Sequence, residues 1–189
     1  MSDRLYLTCR IRGANDLTLL RQFEKALALF PFSKLARRGA ILKVYVLEHS
    51  EPPLLEREFE LGASPEEILT FAGEVFQSDC RVEVDTTWDL WRFDTEWKLH
   101  PAHVVLAANA SRFEDGGGDQ LQIDFGLDSQ FLPLEGLEGS LQRSQSNLKS
   151  LLHFVQDLEK TLPLESRQLR SESGANFARE LEQTLARFQ

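Results

Sequence analysis

In four stretches of this chain apolar side chains recur at every second position, and between them they recur at every third or fourth. Leu5, Leu7, Cys9 and Ile11 alternate with Arg4, Tyr6, Thr8, Arg10 and Arg12. Leu55, Phe59 and Leu61 alternate with Glu56, Glu58 and Glu60, and Val82, Val84, Trp88 and Leu90 alternate with Glu83, Asp85 and Asp89. Leu121, Ile123, Phe125 and Leu127 repeat the pattern near the end of the strand-rich part. A period of two sends alternate side chains to opposite faces, so each stretch is a strand with one dry and one wet face. Residues 40–48, AILKVYVLE, are apolar enough for a central or well-covered strand.

Two helices separate these strands. Asn15 or Asp16 caps a helix carrying Leu20, Phe23, Leu27 and Phe30, which Pro31 stops. Ser64, Pro65 and Glu67 mark a second start, with Ile68, Phe71, Ala72, Val75 and Phe76 as its apolar face. The order strand, helix, strand, strand, helix, strand is the ferredoxin-like βαββαβ plan. That plan puts the first strand between the third and fourth, with Arg4, Arg10 and Arg12 between a glutamate row (56, 58, 60) and the Glu83/Asp85 row. Beyond it, residues 103–113 and 119–127 predict an antiparallel hairpin around EDGGGD, and 131–139 a loop. Leu141, Leu148, Val155 and Leu162 stand seven apart on a helix from Ser140, with Leu151 and Leu158 between them. PLESRQLRSESG breaks that helix, and a last one over 173–188 carries Phe177, Leu181, Leu185 and Phe188. The expected fold is therefore α+β. A ferredoxin-like region with a β meander spans 1–139, and a C-terminal helical hairpin over 140–189 packs on it.

Charge narrows the function. The 189 residues carry a net charge of −9, with a pI near 5.0. Such a field repels phosphate backbones and anionic membranes unless a local basic patch reverses it. The first strand offers one aromatic, Tyr6, and the third offers glutamates, which is the wrong face for stacking bases. KLARRG is the one basic patch, and it predicts a solvated loop. No apolar run approaches the ~20 residues of a membrane helix, and MSDRLYLTCRIRG has charges where a secretory signal is apolar. A reduced cytoplasmic setting, without nucleic acid or membrane as partner, is the expectation. Two cysteines make no disulfide framework; Cys9 and Cys80 are expected as buried free thiols, close together under the helices.

The chemistry-bearing residues concentrate in TWDLWRFDTEWK, which holds all three tryptophans. Trp88 and Leu90 share the parity of Val82 and Val84, while Trp91, Phe93, Trp97 and Leu99 take the other. The apolar face therefore switches between Leu90 and Trp91, as at a bulge. Buried aromatics are usually packing, so Trp91, Phe93 and Trp97 read first as a second core under the C-terminal helices. The alternative is a pocket with Trp88, Trp91 and Trp97 as walls and Asp85, Asp89, Arg92 or His103 as polar contacts. The spaced acids, the pair His100/His103 and Cys9 show no metal-ligand or nucleophile–base pattern, so no catalytic residue, metal site or cofactor is assigned. Two functions follow. One is a non-enzymatic interaction or assembly module, meeting a protein partner or a second copy through the C-terminal helices. The other is a small-molecule-binding protein or enzyme with its pocket at Leu90/Trp91.

Overall fold

The computed structural model describes residues 3–115, 118–173 and 176–186. In chain order its elements are β1 (Arg4–Ile11), α1 (Asp16–Leu29), β2 (Ile41–Val46), β3 (Leu55–Glu58), α2 (Pro65–Gly73), β4 (Cys80–Phe93), β5 (Trp97–Asn109), β6 (Leu121–Leu127), α3 (Ser140–Thr161), β7 (Leu164–Ser171) and α4 (Phe177–Ala186). The helix starts follow from local chemistry. Asn15 Oδ1 accepts the Thr18 N–H at 3.0 Å, and Ser64 Oγ accepts the Glu67 N–H at 3.1 Å with Pro65 in the first turn.

The strands form one antiparallel sheet in the order β3-β2-β4-β5-β6-β1-β7. The alternating apolar residues Leu5, Leu7, Val82, Val84, Leu106 and Ile123 share a single core with Phe23, Leu27, Ile68, Leu151, Phe154 and Leu158 from the helices. The other face is polar, so the sheet is one-sided, as its period-two pattern requires. No described helix is long and apolar enough to cross a membrane.

The strand order is not the ferredoxin-like one. β1 lies between β6 and β7, not between β3 and β4. Arg4 therefore meets Asp124 at 2.6 Å and Arg10 approaches Asp119 at 3.9 Å, and neither meets the glutamate row. Cys9 and Cys80 are both buried free thiols. They are not neighbours, because β5 and β6 separate their strands by three spacings of ~4.8 Å. Burial pushes the Cys9 thiol up to about 12, which leaves it unreactive as a nucleophile.

The helical hairpin is replaced as well. The segment expected to be a break is β7, which pairs along β1 from Leu5↔Ser171 to Ile11↔Leu164. An edge strand tolerates many charges because solvent reaches more of it, and that hid β7 from an apolar count. The stripe on α3 is used within the chain: Leu151, Phe154, Val155 and Leu158 are all buried. The expected turn at Gly116 and Gly117, and the side chains of Leu185 and Phe188, lie outside the described residues.

The tryptophan-bearing segment is a hairpin arm. β4 and β5 pair without a break from Arg81↔Asn109 to Phe93↔Trp97. There is thus no bulge between Leu90 and Trp91; the two aromatic sets sit on opposite faces of one continuous ribbon. β6 pairs with β5 only over Val105–Ala108. Past that point the sheet divides, and the outer edge of β5 from Trp97 to Ala102 runs without a partner strand.

Candidate functional site

The arm separates the three tryptophans by role. Trp88 is wholly buried, stacked between Phe30 at 5.8 Å and Phe125 at 5.5 Å, with Phe131 at 5.9 Å. It is a core residue and not a pocket wall. Among the described residues its indole N–H has no hydrogen-bond partner, a desolvation cost of ~1–3 kcal/mol that the surrounding ring packing offsets. Trp91 and Trp97 sit on the other face, half-buried, beside Phe93 and Leu99, which are 38% and 43% exposed. The expected closed second core does not form.

The arm is held by side chains standing in for a missing strand. Asn147 of α3 accepts the Trp91 N–H at 2.8 Å and donates to the Trp91 carbonyl at 2.9 Å. Its amide also donates to the Gln130 carbonyl at 2.8 Å. It is 3% exposed and reproduces, with one amide, the pair of bonds a neighbouring strand would supply. Farther back, the Ser33 N–H donates to the Thr87 carbonyl at 2.8 Å. Trp97 Nε1 donates to the Glu138 carbonyl at 2.8 Å. The next residue, Gly139, caps α3 at φ 75°, and a Cβ there would stand 3.3 Å from Trp97 Nε1. Glycine therefore serves both the left-handed backbone and the close ring. The Arg143 guanidinium lies 3.8 Å from the centre of the Trp91 ring, a cation–π contact that fixes the indole plane.

Where β5 and β6 part, a cleft of about 520 Å³ opens between the arm, the short turn Asp128–Gln130 and the start of α3. Its apolar walls are Leu90, Trp91, Phe93, Trp97, Leu132 and Leu134. Its polar groups include Arg4, Arg92, His100, His103, Gln130 and Asn147, and among the described residues no carboxylate lines it. Ser140 and Ser144 bring the N-terminal turns of α3 to the same cleft, and the positive end of that helix adds to the cationic character. Volume and lining suit one small ligand with a flat apolar body and a negative group.

Asp85 lies on the polar face of the sheet, hydrogen-bonded to His103 Nε2, with Lys43 Nζ 3.5 Å away. The Asp85 hydrogen bond raises the pKa of His103 above its usual value, against a smaller opposing effect of burial. Burial works to raise Asp85, but the His103 bond and the charges of His103 and Lys43 outweigh it and hold the carboxyl below its ordinary value. The imidazole thus carries its proton further up the pH scale than a free histidine does.

Of the residues expected at a pocket, Trp91, Trp97, Arg92 and His103 line this one cleft. Trp88 lies beneath it in the core, and Asp85 reaches it only through His103. Asp89 turns away to receive the Ser33 hydroxyl and the Lys34 N–H. Sequence reasoning missed Asn147, Arg143 and the loop residues Leu132 and Leu134. A signal for Asn147 existed: Ser140, Ser144, Asn147 and Leu151 follow one another at three- and four-residue spacing and are all buried. Polar residues continuing an apolar stripe need buried partners. Among the described residues no group of three His, Cys, Asp or Glu side chains could hold a metal ion. No family model matches the chain, and no curated protein or solved structure matches it either.

Proposed function

We propose that this protein binds a small amphipathic anion, its flat apolar body between Trp91 and Trp97 and its negative group toward Arg92 and His103. One observation carries the reading. In a chain of net charge −9, the cleft at the split in the sheet is walled by aromatic rings and lined by basic side chains; among the described residues Arg92 makes no ion pair and no carboxylate lines the cleft, the carboxylates paired with Arg4 and His103 lying outside the lining. Charge of that sign against the molecular average focuses anions into the cleft. The Trp91 indole under the Arg143 guanidinium and the Trp97 indole bonded to the Glu138 carbonyl supply stacking surface that is already ordered, so little entropy is lost on binding. The assembly reading, which the sequence favours first, rests on the extended sheet and the C-terminal helices; α3 buries its stripe in its own sheet, and β7 rather than a second helix follows it.

The test is a titration with naphthoate, followed by its fluorescence and by calorimetry. Saturable binding is expected, weaker for neutral naphthalene methanol. Trp97→Ala should weaken naphthoate at least tenfold, which corresponds to about 1.4 kcal/mol. Absence of saturable binding at millimolar naphthoate, or an unchanged affinity in Trp97→Ala with native circular dichroism, overturns the proposal.

A further inference from the structure

A second cleft, of about 610 Å³, lies on the other side of the β5 arm, between that arm and the loop joining α1 to β2. The two clefts share His100, Pro101 and His103 as a wall. The loop carries Lys34, Arg37 and Arg38, and it is clamped at both ends. At its start the Lys34 N–H donates to Asp89 Oδ2 at 2.8 Å, and the Ser33 hydroxyl donates to the other oxygen of the same carboxylate. At its end Gly39 presses on the chain beside β3: a Cβ there would fall 2.0 Å from the Phe59 carbonyl oxygen and 2.7 Å from the Glu60 carbonyl carbon. Only glycine permits that approach. A basic loop that would otherwise be a solvated excursion is thereby held over the cleft.

Arg37 and Arg38 line one side, and His100 and His103 line the other. Among the described residues the only carboxylate in the lining is Asp85, and its charge is already met by Lys43 and His103. Among the described residues neither Arg37 nor Arg38 makes an ion pair. Two guanidiniums, with His100 and the His103 ring nitrogen not bonded to Asp85 on the shared wall, offer several N–H donors to a group with several oxygens and more than one charge, which is the chemistry of a phosphate. Leu35, Leu99 and Pro101 add an apolar border for the organic part of a phosphate ester.

We propose that this second cleft is a binding site for the phosphate group of a small ligand, separate from the aromatic cleft. Calorimetric titration of the full chain with inorganic pyrophosphate tests it. Saturable binding is expected, weakening as salt is raised. The Arg37→Ala/Arg38→Ala double variant should lose at least tenfold in affinity. Arg37→Lys/Arg38→Lys should recover part of that loss, because the charge returns without the forked geometry. A control pair on the exposed side of α1, Arg21→Ala/Lys25→Ala, removes the same charge and should leave the affinity unchanged. No saturable binding, or equal losses in the Arg37/Arg38 and Arg21/Lys25 variants, overturns the site. The naphthoate titration reads the aromatic cleft alone, so either proposal fails without the other.

Discussion

His103 stands on the polar side of β5, on the wall common to both clefts, and its proton sets part of their charge. Its pKa lies above the unfolded value of ~6.5 because of Asp85. The stability it contributes is therefore fully present below that unfolded value and is lost as pH rises through the folded one. Asp85 runs the other way: its pKa is lowered, so its contribution is present above the unfolded carboxylate value and is lost as pH falls through the folded one. The pair is intact in the mildly acidic to neutral window between them. The imidazole side chain is 56% exposed, so solvent screens the pair and its role in charge exceeds its role in stability. In an NMR titration the His103 ring should titrate above an unperturbed histidine, and Asp85→Asn should bring its midpoint back down. Naphthoate affinity should fall as pH climbs through the wild-type midpoint. A midpoint indifferent to Asp85→Asn would break the link between the two residues.

At the scale of elements, the β4–β5 arm is the feature from which both clefts follow, and it extends where no strand accompanies it. Asn147 and Ser33 supply β4 with the bonds that β2, which ends opposite Asp85, does not. Replacing Asn147 with Ala strands the Trp91 N–H and carbonyl together with the Gln130 carbonyl. The expected loss is about 2–4 kcal/mol in urea unfolding, accompanied by weaker naphthoate binding. Ser146→Ala, on the exposed side of the same helix, should change stability by less than about 0.5 kcal/mol. Equal stability for the two variants would show that the arm does not depend on α3. The parity of this arm is legible in the sequence alone: Trp88 and Leu90 on one face, Trp91, Phe93 and Trp97 on the other. Its length is not. Period two says which way a side chain points, and nothing in it says whether a neighbouring strand continues alongside. A bulge at Leu90/Trp91 is required only if both aromatic sets must be enclosed, and here the outer set lines an open cleft.

Across the whole molecule, the one-sided sheet and the starts of α1 and α2 can be read from local chemistry, because caps and periodicity are local. The strand order cannot. It depends on pairings between residues far apart, such as Leu7 with Ile123 and Leu169, and several orders satisfy the same alternation. β7 escapes a sequence reading for a related reason: an edge strand needs few apolar residues. The aromatic members of the candidate cleft stand out as a composition anomaly in one short stretch, whereas Asn147, Leu132 and Leu134 join it only through the third dimension. The resulting assignment gives the three tryptophans three different environments: one sealed in the core, one under Arg143, one bonded to the Glu138 carbonyl. Titrating naphthoate into nitrogen-15-labelled protein and following the three indole N–H resonances measures this directly. The Trp91 and Trp97 signals should shift together along one saturable curve while the Trp88 signal stays in place. No shift in any of them, or an equal shift in all three, would contradict the binding cleft.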